Sequence, residues 1–269
     1  MQSLQNQVNP EISIRFFNKD LEFIGEIDNF KSTVYVRRWE TFGTFEIHLE
    51  EDRPELFVEG YYIMLNNDAY RSGIIQYYKN DSDGYEPKSQ KDIVIKGYSL
   101  LYLLYWRITV PPATNNGYRI WNNKPIEDIM YDLVNENAVN PSDSKRKIPQ
   151  LTMGTSQHRG GKLTFQTRLK YLTDDLYTLS RQSGLGVSIK LDAVSKRFVF
   201  EVLEGRDCTY GIENPRSYIF SKANNKVNKR TYTYSTMGAK NMAYIGGQGD
   251  GDDREIVTLH DELAGLERK

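Results

Sequence analysis

Apolar and polar residues alternate with a period of two through residues 11–98. Ile12, Ile14 and Phe16 alternate with Ser13 and Arg15, Asn18-Lys19-Asp20 turns the chain, and Leu21 to Ile27 returns. Thr33 to Trp39 alternates again and Thr41-Phe42-Gly43 turns. Phe45, Ile47 and Leu49 then fall on one side, with Glu46, His48 and Glu50 on the other. Tyr61 to Leu65 and Arg71 to Tyr78 flank a turn at Asn66-Asn67-Asp68, and a loop from Asp81 to Gly84 precedes Ile93 to Ile95. Period-two runs broken by turn residues every ~8–12 positions predict an antiparallel barrel or sandwich. One face of such a sheet packs a core while the other is left to solvent or a partner. Tyr98 to Trp106 reads as a short helix closing the barrel, and Pro111-Pro112 and Thr114 to Gly117 break the chain after it.

The period then changes. Asn123 is a candidate N-cap with Pro125 in the first turn, and Ile126, Ile129, Met130, Leu133 and Val134 recur at helical spacing. They predict an amphipathic helix of about three turns, ended by Asn140 to Asp143. A polar loop runs to about Gly161. Leu169, Leu172, Leu176 and Leu179 predict a second helix, stopped by Gly184. Leu185 to Leu191 and Arg197 to Leu203 form a hairpin across Asp192 to Lys196. Strand patterns resume at Ser217 to Phe220, Arg230 to Tyr234, Ala239 to Gly246 and Glu255 to Leu259. The expected fold class is α+β, mainly antiparallel β. A flexible arm at 1–10 leads into a β-barrel domain at 11–117, an α+β domain at 118–210 and a second β region at 211–269.

Charge narrows the function classes. The 269 residues carry 35 Lys plus Arg against 36 Asp plus Glu, so no global field draws the protein to nucleic acid or an acidic membrane. The single cysteine, Cys208, excludes an intrachain disulfide and has no Cys-x-x-Cys or histidine neighbour. Residues 1–10 show no export signal. The most apolar stretch, Leu100 to Trp106, is far short of the ~20 residues of a membrane helix, so no membrane insertion is expected. The 19 tyrosines suit half-buried β surfaces and protein interfaces.

Candidate chemistry is sparse. The three histidines, His48, His158 and His260, are far apart and match no zinc or triad spacing. His48 falls on the polar side of a strand and His158 in a loop, where ordinary surface histidines are expected. Glu50-Glu51-Asp52 sits where a strand meets a turn, and Asp174-Asp175 is placed on the solvated side of a helix. Gly246 to Arg254 alternates glycine with Asp250, Asp252 and Asp253. It lacks the order of an EF-hand loop and the Gly-Lys-Ser/Thr of a phosphate loop, and reads as a β-hairpin tip. The basic run Lys222 to Arg230 lacks interleaved aromatics until Tyr232 and reads as a solvated loop. No catalytic, cofactor-binding or metal-ligating residue is assigned.

Several stretches together resemble the siphovirus ReqiPepy-type tail protein family of phages and prophages. Arg15 to Asp28 looks like its first hairpin. Arg37-Arg38-Trp39 followed by Gly43 to Leu49 is similar to its next strand pair, and Gly73-Ile74-Ile75 and Val94 to Gly97 to the strands after it. Leu133 to Asn137 with Asn140-Pro141, Arg146 to Pro149, Gly184-Leu185-Gly186 and Gly247 to Arg254 follow in order. The similarity is collinear over roughly residues 12–259. Family members continue with further strands past the position of Arg268, so either this chain is truncated or its second β-barrel domain is completed elsewhere.

The resemblance implies a baseplate-hub-like protein of the virion tail tip, assembled in the bacterial host cytoplasm. Tube-forming β-barrel domains would flank the α+β domain, and copies, three in the family's pattern, would form a ring continuing the tail tube. Distal tail and tail-tip proteins would be its partners, with DNA only a transient cargo in the lumen and no cofactor. The structural or interface positions implied are Arg37, Arg38, Gly43, Glu46, Gly247, Gly249, Gly251 and Arg254. Two other readings stay open: a platform for a cell-wall hydrolase or peptidase, and a host-surface carbohydrate-binding module using Trp106, Trp121 and Tyr118.

Overall fold

The computed structural model describes residues 12–49, 52–81, 92–112, 115–209, 220–221, 227 and 229–268. The chain divides into two compact units, Met1–Arg206 and Asp207–Lys269.

The first unit opens with seven strands: β1 (Ile14–Phe17), β2 (Phe23–Ile27), β3 (Ser32–Val36), β4 (Thr44–Leu49), β5 (Tyr62–Leu65), β6 (Ser72–Asp81) and β7 (Asp92–Ser99). They form one antiparallel sheet in the order β2-β1-β5-β6-β7-β4-β3. The two edge strands, β2 and β3, are consecutive in the chain. Laid flat, six inter-strand spacings of ~4.8 Å would separate them by roughly 29 Å. The linker between Ile27 and Ser32 spans at most about 18 Å. The sheet therefore curls, bringing its edges towards each other, although no ladder joins β2 to β3.

Alternation decides what fills the curl. Phe45, Ile47 and Leu49 point inward with Ile14, Phe16, Ile63, Ile75, Ile93 and Ile95, and all are buried. Leu56 and Phe57 plug one side. The interior of this sheet is thus a packed core and not a channel. Gly97 and Gly73 make room for Phe45: a Cβ on Gly97 would lie 2.6 Å from the Phe45 ring and 2.0 Å from the Ile74 carbonyl oxygen.

The second half of this unit packs on the outside of the sheet. A 3₁₀ helix (Leu100–Trp106) leads to β8 (Arg119–Pro125), α1 (Ile126–Val134), β9 (Leu151–Met153), β10 (Lys162–Thr167), α2 (Leu172–Ser183), β11 (Gly186–Asp192) and β12 (Arg197–Leu203). β8 pairs with β10, and β11-β12-β9 form a small sheet in which β9 runs parallel to β12. Tyr62, Met64 and Ile74, on the outer face of the large sheet, share one core with Leu100, Leu101, both helices and the β11–β12 hairpin. The Tyr62 and Phe198 rings meet at 5.0 Å.

Several sequence expectations need correction here. Residues 37–39 leave the strand as a loop, because β3 ends at Val36. The helix expected at Tyr98 is 3₁₀ and starts at Leu100, since Tyr98 and Ser99 still pair in β7. Asn123 does not cap α1: it lies in β8 with φ 48°, and the chain enters the helix at Pro125. The first helical N–H groups are satisfied from another loop, with Ile126 donating to the Gly161 carbonyl (2.9 Å) and Glu127 to that of Arg159 (3.1 Å). Leu169 lies outside α2, exposed and with φ 50°, so the apolar stripe begins at Leu172. Gly184 closes α2 in the left-handed conformation at φ 73°. The segments β8, β9 and β10 fall in stretches read as loop or helix cap.

In the second unit, β13 (Ala243–Gly246) and β14 (Ile256–Leu259) form an antiparallel hairpin. Arg230 to Tyr234, expected as a strand, is irregular. Most of Ser217 to Phe220 and of the basic run Lys222 to Arg230 lies outside the described residues.

Candidate interaction surfaces

The outer face of the large sheet over β3, β4 and β7 is left bare by the helical half. Register sets a cross-strand row of Val34, Glu46, Lys96 and Tyr77. Val34 is 58% and Tyr77 47% exposed, and Val36 follows Val34 on the same side. Val34, Glu46, Lys96 and Tyr77, with Thr44 and Gln76, line a groove of about 680 Å³. Glu46 holds its centre: His48 Nε2 lies 2.8 Å from Glu46 Oε1, and Lys96 Nζ 3.0 Å from Oε2. The hydrogen bonds from His48 and then Lys96 hold the Glu46 carboxyl below its ordinary range. Exposed valine and tyrosine leave apolar area on this face open to a partner, and the charges among them are paired with one another.

Arg37, Arg38 and Trp39 form a loop that joins the sheet to the helical half. The Trp39 indole N–H donates to the Gly184 carbonyl (2.9 Å), and Val187 N donates to the Trp39 carbonyl (3.0 Å). Gly43 ends the same loop: Gly43 N donates to Ser99 Oγ and Ser99 N to the Gly43 carbonyl. A Cβ on Gly43 would lie 1.8 Å from the Val36 carbonyl oxygen, so only glycine fits that crossing. Arg37 stands over the Tyr70 ring at 5.7 Å. Beside this loop lies a cavity of about 380 Å³.

The Gly-rich segment is the tip of the β13–β14 hairpin. Gly247 N donates to the Glu255 carbonyl, Glu255 N to that of Gln248, and Arg254 Nε to the Gly247 carbonyl at 3.3 Å. Gly249 sits at φ 104°, and a Cβ there would lie 2.3 Å from the Asp253 carbonyl oxygen. Gly251 opens the short turn that carries Asp252 and Asp253. Tyr244, Ile245, Ile256 and Val257 are exposed, so both hairpin faces carry uncovered apolar side chains. A two-stranded hairpin is marginal alone in water, and these faces are complete only against further surface.

Among the described residues, the histidines and carboxylates singled out in the sequence as candidate chemistry lie in separate places. His158 Nδ1 and Ser156 Oγ both bond Asp128, at 2.8 and 2.5 Å. The carboxylate stands between the other two, so the imidazole is not placed to take the serine proton. Burial would raise the Asp128 carboxyl, but the Ser156 and His158 bonds outweigh it and hold it low. Among the described residues no group of three or more His, Cys, Asp or Glu is placed to hold a metal ion. Glu50 and Glu51 lie outside the described residues, and Asp52 accepts hydrogen bonds from Tyr78 and Asn80. Trp121 is buried, donating to Asp132 at 2.8 Å. Tyr98, Tyr102, Tyr105 and Tyr171 stack in series at 4.2, 5.4 and 4.7 Å, so each ring's face is covered by its neighbour. Of the aromatics named for sugar binding, Trp106 and Tyr118 are exposed, with Arg168 over the Tyr118 ring at 5.6 Å.

Two carboxylates sit where the sequence suggested solvent or gave no signal. Asp175 is buried and accepts from the Thr109 and Thr167 hydroxyls at 2.7 and 2.6 Å. Glu127 is fully buried, with Arg159 bonding both its oxygens at 2.9 and 2.8 Å. Burial pushes the Glu127 carboxyl up, but the guanidinium and two backbone N–H groups more than offset it and hold it low.

The described residues are mostly antiparallel β structure with few helices, an α+β fold. The chain belongs to the siphovirus ReqiPepy6 Gp37-like protein family, which it matches over residues 13–269. No curated protein matches it. Among solved structures it is similar to the tail protein from Neisseria meningitidis MC58, at 12% identity and a TM-score of 0.49, covering 96% of this chain and 65% of that one. It is also similar to the prophage tail protein gp18 from Listeria monocytogenes EGD-e, at 11% identity and a TM-score of 0.48, covering 93% and 67%. A third is the E. coli c3393 protein, a type VI secretion component with likeness to T4 gp27 and gp5, at 12% identity and a TM-score of 0.38, covering 72% and 45%. The chain therefore spans about two thirds of the first of these proteins.

Proposed function

We propose that this chain is a structural, non-enzymatic component of the phage tail tip. Copies associate, in the hub-like pattern as three, into a ring that continues the tail tube and docks distal tail and tail-tip proteins. The observation that carries the reading is the curled seven-stranded sheet with two unladdered edges and a bare outer face of Val34, Val36 and Tyr77. Unpaired edges and exposed apolar rows are liabilities in a monomer and assets in a closed ring. Because the interior of the curled sheet is filled with Phe, Ile and Leu, a lumen for DNA would run between copies and not through this sheet. A near-neutral chain lets phosphate pass without accumulating lysine and arginine contacts. Immunogold labelling of intact phage tests the placement: gold at the tail tip is expected, and gold along the tube or on the capsid overturns it.

A further inference from the structure

The cavity beside the Arg37–Trp39 loop has a chemistry that the packing of the fold does not consume. Its walls come from both halves of the first unit, and include Arg37, Arg38, Tyr70 and Ser188. Neither arginine is paired with a carboxylate among the described residues. Both are exposed at the mouth, and Arg37 is held over the Tyr70 ring. Beside the cavity, Glu201 accepts from Tyr70 Oη and from Lys190 Nζ, each at 2.5 Å. Burial, that hydrogen bond and the Glu201 charge push the Tyr70 phenol up to about 12, so it remains a proton donor at any physiological pH. Lys190 with Glu201 and Arg71 with Asp68 pair among themselves, and Arg37 and Arg38 are the two charged groups on the cavity lining.

We propose that this cavity is a carboxylate-binding pocket that takes an acidic side chain on an extended segment of a partner protein. Guanidinium groups bind carboxylate in a bidentate fork, and a site bounded by protein on several sides strengthens that bond relative to open water. A volume of about 380 Å³ admits one or two Asp or Glu side chains with their backbone. The planar guanidinium fork matches a carboxylate held in a walled cavity, and the cavity has room for a side chain but no run of basic groups to follow a nucleic-acid backbone. This goes beyond ring formation and requires no particular number of copies.

The test uses the full chain and a fluorescein-labelled peptide of alternating Asp and Gly, with its Asn counterpart and a single-stranded DNA of equal charge as controls. Fluorescence anisotropy at low salt is expected to show saturable binding of the Asp peptide. That binding should weaken at least about tenfold in the double variant Arg37→Gln/Arg38→Gln and be absent for the Asn peptide. Ser188→Tyr fills the cavity and leaves both arginines in place, and it should weaken binding to a similar extent. Equal binding by Ser188→Tyr and wild type overturns the pocket in favour of loose surface attraction. Equal binding by the arginine variant, tighter binding of the DNA, or no binding of the Asp peptide overturns the proposal outright.

Discussion

The Trp39 indole, on the loop after β3, donates its N–H to the carbonyl of Gly184, 145 positions further on at the end of α2. Its ring lies flat against Gly186, where a Cβ would come within 2.6 Å of it. One side chain therefore ties the large sheet to the helical half, and a glycine is what lets it lie there. The tie also forms a wall of the arginine-lined cavity.

Gly186→Ala should force the Trp39 ring away from β11 and break its hydrogen bond. Overpacking of this kind costs about 1–3 kcal/mol. Urea denaturation followed by circular dichroism measures it. A midpoint equal to wild type would mean that Trp39 is free to move without consequence.

Glu127→Gln should destabilise the first unit by about 1.5–3 kcal/mol, because Arg159 loses its bidentate buried carboxylate and keeps only the exposed Glu204 as a charge partner. The pair also sets a pH dependence. The Glu127 carboxyl is held below 4.5 in the folded protein. The stability it confers is fully present above about pH 4.5 and is lost as pH falls through the lower folded value. Denaturation midpoints between pH 7 and 3 should fall more steeply for wild type than for the variant below about pH 4.5.

Asp175→Ala should leave the Thr109 and Thr167 hydroxyls buried without their shared acceptor, at a cost of about 2–3 kcal/mol. Thermal unfolding of Asp175→Ala against Asp175→Asn separates the two roles. Asparagine keeps an acceptor oxygen and should recover part of the loss, whereas equal losses would assign the effect to charge.

Glu46→Ala removes an exposed centre and should leave the unfolding midpoint close to wild type. Its effect should fall on association, by releasing His48 and Lys96 on the outer face. Light scattering against protein concentration checks this, and an unchanged concentration dependence would exclude Glu46 from the docking face.

Period-two alternation made the large sheet legible. Phe45, Ile47 and Leu49 on one side and Glu46 and His48 on the other are the observed inside and outside. The stripe of α1 was equally plain, since Ile126, Ile129, Met130, Leu133 and Val134 are all buried. Asp175 was misplaced because charge outweighed period. It stands three residues after Leu172 and four before Leu179, on the buried stripe, and two threonines from distant segments make its burial tolerable. Glu127 shares the face of Met130 and Val134 in the same way, and Arg159 lies 32 positions away. Strand β8 is hidden because Arg119 to Pro125 mixes polar and apolar residues without alternation, whereas β10 does alternate, Leu163 and Phe165 against Thr164 and Gln166, but over only six residues beside a helical leucine stripe. The Arg37–Trp39 loop read as strand because its partners, Tyr70 and Gly184, are supplied only by the tertiary fold.

The bare outer face of the sheet as a surface for sister chains is tested most directly by native mass. Wild-type protein, alone and co-expressed with neighbouring tail proteins of its phage, is compared with Val34→Asp/Tyr77→Asp by sedimentation equilibrium. Wild type should reach a closed multiple of 31.2 kDa, with the variant remaining at 31.2 kDa while still folded. A wild-type chain that stays at 31.2 kDa in both settings, or a variant that assembles as well as wild type, would contradict the account.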